Sequence, residues 1–178
     1  TERETGAGEN ELEVSEHIVM SPFDFTSQTL LAMPTDLPGP EHGEGAFQEE
    51  TARVVADLAR ITDGGVFVLF TAHSALRQVA RHLRARDVET RWPLFVQGED
   101  DRHRLLAAFV RSGRGLLLGT TSFWEGVDVP GDPLRALVIQ RLPFRVPTEP
   151  ITAARMEALE RRGVDPFHGF MLPHAADR

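Results

Sequence analysis

A chain of 178 residues with a formal charge of −8 has the length of one domain and is long enough to bury its own core. It has no cysteine, which excludes a disulfide framework, a thiolate zinc site and an iron–sulfur cluster within the chain and favours a cytoplasmic protein. No apolar run is long enough to cross a membrane, no signal peptide opens the chain, and all nineteen basic residues are arginine, so a lysine-bearing phosphate loop is excluded too.

The acidity is uneven. Residues 1–50 hold twelve acids and one arginine, whereas residues 51–178 hold fifteen acids and eighteen arginines. The overall sign therefore does not decide against a nucleic acid partner. Residues 1–16 are polar and acidic without apolar periodicity, the composition of a disordered segment or linker. His17–Pro22 and Leu30–Pro34 are short apolar runs that fit strands. Between them, Phe23 and Phe25 of "SPFDF" read as packing anchors. Residues 35–45, rich in proline and glycine, form a loop.

From Phe47 the spacing predicts a helix whose buried face holds Val54, Val55, Leu58 and Ile61, ended by Gly64 and Gly65. Residues 66–70 are a continuous apolar run, the pattern of a strand covered on both faces. A helix over 74–86 buries Leu76, Val79, Ala80 and Leu83. Its Arg77, Arg81 and Arg84 lie off that stripe and read as a solvated face, with a phosphate-contacting strip as the alternative. Residues 93–97 are a strand, and a helix over 99–111 buries Leu105, Leu106, Phe109 and Val110. Arg102 and Arg104 read as its solvated side. Strands follow at 116–120 and 134–140. A last helix, 150–162, uses Ile151, Ala154, Ala158 and Leu159. Strands alternating with amphipathic helices imply a parallel sheet flanked by helices on both faces, an α/β fold. In such sheets ligands bind beyond the carboxyl ends of the strands.

One stretch starts at that edge. "GTTSFWEGVDVPG", residues 119–131, places two threonines, a serine, a tryptophan, two acids and three glycines after an apolar strand. A tight turn over a packed tryptophan explains only part of this. Hydroxyls and backbone N–H groups at Thr120, Thr121 and Ser122 suit phosphate oxygens, Gly126 permits close backbone approach, and Asp128 suits a ribose hydroxyl. No G-x-G-x-x-G follows a strand, no G-x-S-x-G occurs, and the seven histidines are scattered, so neither a dinucleotide fingerprint, a hydrolase triad nor a metal site is expected.

"SFWEGVDVPG" with "VIQRLPFRVPTEP" closely resembles motif V and its sequel in the DinG/XPD-like branch of superfamily 2 DNA helicases. "VFVLFTAHSALRQVARHL" resembles motif IV of that family. "SPFDF", "PLFVQG" and "DPFHGFMLPHA" fall in the matching order, so the likeness covers about residues 17–176. The resemblance implies a second, C-terminal RecA-like motor domain over 17–178 that stops before the motif VI helix and its ATP-reaching arginines, so that the chain reads as a fragment, with a degenerate relative as the alternative. It also implies a first RecA-like domain as partner, single-stranded DNA crossing both, and ATP with Mg2+ held between them in the full-length enzyme, none of it bound by this chain alone. By likeness, Thr71, Ala72, His73, Thr120, Thr121, Ser122 and Trp124 face the DNA. Glu125, Gly126 and Asp128 face the nucleotide. On this reading the isolated chain carries no catalytic residue and is inactive; the alternative is a non-catalytic nucleic-acid-binding or interaction module on the same scaffold.

Overall fold

The structure is a computed structural model that describes residues 17–39 and 43–177. Chain contacts divide it into two units that meet at Thr35 and Asp36. The segment read as disordered, 1–16, lies outside the described residues.

In the first unit, the strands expected at 17–22 and 30–34 do not form. A strand needs a neighbouring edge to complete its hydrogen bonds, and these runs pair with no strand among the described residues. Instead a single turn of helix, α1 (Phe25–Gln28), is capped by Asp24, whose carboxylate accepts from the Thr26 hydroxyl and the Ser27 hydroxyl at 2.6 Å each. Those bonds, Ser27's foremost, hold the Asp24 carboxyl below its usual range. Phe23 and Phe25 touch each other with ring centroids 5.9 Å apart but are exposed rather than buried anchors.

The second unit is a four-stranded, all-parallel sheet in the order β2-β3-β1-β4. Its strands are β1 (Val66–Leu69), β2 (Leu94–Val96), β3 (Leu116–Gly119) and β4 (Ala136–Ile139). Side chains alternate across the sheet, so each face collects its own core. Val66, Val68, Leu116, Leu118 and Val96 point to one face, under α2 (Glu44–Thr62) and α3 (His73–Ala85). Phe67, Leu69 and Leu117 point to the other and meet Leu105 and Phe109 of α4 (Arg102–Ser112). The helical and strand runs of the sequence thus become a sheet layered on both sides, as expected at β1 and β3. At β4 the expectation fails: Leu137 and Ile139, on the α4 side, are 52% and 45% exposed.

The α2 stripe differs from the expected one. Gln48, Thr51, Ala52, Val55, Ala56 and Ala59 are buried, while Ile61 is 79% exposed. Alanines let α2 lie close against α3, and the larger isoleucine falls outside the stripe. The helix stops at Asp63 in the left-handed region (φ 52), followed by Gly64 and Gly65, also at positive φ. A Cβ at Gly64 would sit 1.9 Å from the Arg114 carbonyl oxygen, so only glycine fits that close approach. At this amino-end edge the Trp92 indole donates to Asp63 at 3.2 Å, and Arg135 donates to the carbonyls of Thr62, Asp63 and Gly113.

In α5 (Pro150–Glu160) the expected face holds only in part: Ala158 and Leu159 are half-buried, but Ile151 and Ala154 are exposed and Thr152 is fully buried. A π-turn, Phe167–Met171, leads into α6 (Leu172–Ala176) and packs against both α5 and α6.

Candidate nucleic-acid interface at the carboxyl edge

Three segments meet where β1, β2 and β3 end. β3 ends in a glycine for a local reason. The chain turns at once into a 3-10 helix, Thr121–Phe123, which folds Phe123 back over the strand end. A Cβ at Gly119 would lie 2.7 Å from the Phe123 ring. Phe123 is buried and meets Phe67 edge-on with centroids 6.1 Å apart.

Thr120 is the hub. It is 3% exposed, and its backbone N–H donates to Gln97 Oε1 at 2.5 Å while its hydroxyl donates to the same oxygen at 2.9 Å. The hydroxyl has a single proton, so the 3.3 Å contact with His73 Nε2 requires the ring nitrogen to donate. Gln97 Nε2 then reaches the Ser122 hydroxyl at 2.9 Å. Gln97 follows β2, His73 begins α3 after β1, and Thr120 follows β3. One network therefore ties three strand ends together.

The loop beyond is clamped from α4. Arg102 Nε donates to the Ser122 carbonyl at 3.0 Å, and Nη2 donates to the carbonyls of Glu125 and Gly126 at 3.2 and 3.0 Å. The guanidinium also lies over the Phe123 ring, 5.3 Å from its centroid. Arg102 is thus no solvated residue, because a planar fork of donors suits convergent carbonyls. Arg104, by contrast, reaches only Asp100 at the surface, at 2.6 Å. The clamp is aimed by the α4 cap: Asp101 accepts from the N–H groups of His103 and Arg104 at 2.9 and 3.3 Å. These backbone bonds, Arg104's first, lower the Asp101 carboxyl from its ordinary value.

Trp124 is half-buried, packs against the α4-side core, and donates its indole N–H to the Phe70 carbonyl at 3.1 Å. Gly126 adopts φ 67 and a Cβ there would meet only the Arg102 guanidinium, at an ordinary 3.8 Å, so its backbone angle rather than crowding demands glycine there. Thr71, Ala72, His73, Thr121, Ser122, Glu125, Gly126 and Asp128 are exposed on this edge. Of the residues singled out in the sequence, Thr120, Ser122 and His73 come together in one network with Gln97. Gln97 and Arg102 were not foreseen. The only sequence signal was that "PLFVQG" ends a strand at the edge where ligands bind.

The donor set has limits. The chain has no lysine, and among the described residues no three His, Asp or Glu side chains converge as a metal site. The residues present do not fit a triphosphate with its metal by themselves. Among the described residues, no helix is long and apolar enough to cross a membrane.

Residues 55–178 match the helicase C-terminal domain. The chain belongs to that family. Relatives include the ATP-dependent DNA helicase YoaA of Escherichia coli K12, 39% identical over 165 residues, which are 92% of this chain and 25% of that protein. The 3'-5' exonuclease DinG of Bacillus subtilis 168 is 34% identical over 160 residues, 88% of this chain and 17% of that protein. The ATP-dependent helicase DinG of Mycobacterium tuberculosis H37Rv is 34% identical over 158 residues, 89% and 23% respectively. The chain therefore spans a quarter or less of the length of these relatives. The RecA-like α/β fold and the likeness to DinG-type helicase C-terminal domains, both expected from the sequence, are borne out.

Proposed function

We propose that this chain is the second motor domain of an ATP-dependent DNA helicase of the DinG type. Single-stranded DNA crosses the carboxyl edge at Thr71, Ala72, His73, Thr121 and Ser122, with buried Thr120 tying their segments together from within and Trp124 anchoring that turn from below. Glu125, Gly126 and Asp128 face ATP and its Mg2+, which are held mainly by a first RecA-like domain with its own phosphate loop. The observation that carries the reading is the Gln97–Thr120–His73 network. It supports a unit in which a shift of one strand end is felt at the others, as conversion of nucleotide state into strand grip requires. The Arg102 clamp supports the same reading, since it joins the hydroxyl side of the loop to its acidic side.

The test is turnover. The purified chain is expected to show no DNA-stimulated ATP hydrolysis above buffer, because it lacks a phosphate-binding lysine. The complete helicase that contains it is expected to show it. Robust, DNA-dependent turnover by the isolated chain would overturn the assignment.

A further inference from the structure

Helix α3 carries Arg77, Arg81 and Arg84 and no carboxylate along His73–Ala85. The three arginines do not behave alike. Arg84 is bound at both nitrogens by Glu99, at 2.8 Å each, and also reaches Glu89 at 3.0 Å. Among the described residues eight arginines, Arg84 included, lie within 4.0 Å of a carboxylate. Arg102 and Arg135 are spent on carbonyls. Arg77 and Arg81 are exposed and have neither kind of partner among the described residues.

These two arginines are also placed together. They lie four residues apart on one helix, about 6 Å along its axis, comparable with the spacing of successive phosphates in an extended strand. With Ser74 and Gln78 they line an open groove of about 450 Å³ between α3 and the end of β2. The one acid in that groove, Glu99, is already neutralised by its paired bonds to Arg84. At its upper end the groove adjoins His73, which touches Thr120. From His73 to Arg81 is about 12 Å of helix. A continuous line of donors thus leaves the carboxyl edge and descends the outer face of α3.

We propose that Arg77 and Arg81 are a phosphodiester-binding strip that extends the single-strand path beyond the motif loops, down α3 along the β2 edge of the sheet. The ligand is the backbone of a nucleic acid strand, because guanidinium groups at this spacing suit successive phosphate oxygens, contacts that position a strand rather than read its bases. The inference rests on the proposed strand-facing reading of His73. Its specific claim is that two uncompensated guanidinium groups, and not the general positive charge of the domain, take two further phosphates.

The experiment measures the salt dependence of oligothymidylate binding by the 178-residue chain, with fluorescence anisotropy as the readout. Each phosphate contact contributes about 0.7 to the slope of log affinity against log salt for single strands. The Arg77→Ala/Arg81→Ala double variant is expected to lose about 1.4 from that slope at an unchanged Tm. Arg77→Lys/Arg81→Lys, which keeps the charges, is expected to retain it. The same measurement on Arg111→Ala/Arg162→Ala, exposed arginines elsewhere, is expected to leave the slope unchanged. An unchanged slope in the α3 variant, or an equal loss in the control, overturns the strip. If the α3 variant binds normally while His73→Ala loses binding, the strip falls and the strand-facing reading stands. If the wild-type chain binds no oligothymidylate even at low salt, both fall.

Discussion

At the residue scale, the tryptophan of the motif loop poses the sharpest question. Trp124 is half-buried against the α4-side core and spends its indole N–H on the Phe70 carbonyl. That geometry makes the ring the floor of the loop. Truncating a fully buried aromatic to alanine costs about 3–5 kcal/mol, so a half-buried one is expected to cost roughly 2–3 kcal/mol on the same scale. Trp124→Phe keeps most of the packing and loses one hydrogen bond, worth about 0.5–1.5 kcal/mol. The expected outcome is a clear drop in Tm for Trp124→Ala and a small one for Trp124→Phe, with strand affinity following stability in both. A Trp124→Ala protein that melts normally yet binds strand poorly would instead make the ring a stacking surface. The signal that a costly residue sat at a strand end was legible in the sequence. Which side of the loop it served was not, because that depends on a carbonyl 54 positions away.

Elements were legible where burial was continuous. The runs that became β1 and β3 have no polar residue and lie beneath helices on both faces. Reading failed where burial depended on a partner the pattern could not supply. Periodicity puts Ile61 on the buried face of α2, but that face is built from Ala52, Ala56 and Ala59 with Gln48, Thr51 and Val55, small and polar side chains that give periodicity little contrast. The Arg102 clamp was equally hidden, since it joins residues 20 to 24 positions apart. The α4 cap that aims this clamp yields a pH prediction. Asp101 is held below the ordinary aspartate value by backbone N–H bonds, Arg104's first. Its contribution is therefore fully present above pH 3.8 and lost as the pH falls through the lowered folded value. Asp101→Asn retains the accepting oxygen without the charge. The variant is expected to have a slightly lower Tm at neutral pH and a shallower fall of Tm under acid. Identical acid profiles would remove Asp101 from the account of α4 stability.

On the scale of the whole molecule, two arginines divide the labour of holding the sheet's edges. Arg135 gathers carbonyls at the amino-end edge and Arg102 gathers them at the carboxyl edge. Arg102 holds the edge that carries the exposed Thr121 and Ser122 hydroxyls and the Asp128 carboxylate, the side on which parallel α/β sheets bind ligands. On the proposed function, strand and nucleotide effects in the complete helicase separate by side. Asp128→Ala removes an exposed carboxylate from the acidic end of the loop, beyond the Arg102 clamp, and leaves the Gln97–Thr120–His73 network untouched. ATP turnover is expected to fall roughly tenfold to a hundredfold, the loss for a hydrogen bond to a charged group, while nucleotide-free strand affinity stays near wild type. Thr120→Val makes the opposite change. It deletes the hydroxyl that joins Gln97 to His73 at nearly constant shape, so strand affinity is expected to fall first and turnover only through lost DNA stimulation. Basal, DNA-free turnover distinguishes the two: it drops in Asp128→Ala and persists in Thr120→Val. If both variants lower basal turnover and strand affinity by the same factor, the loop acts as one structural unit and the two-sided coupling is wrong.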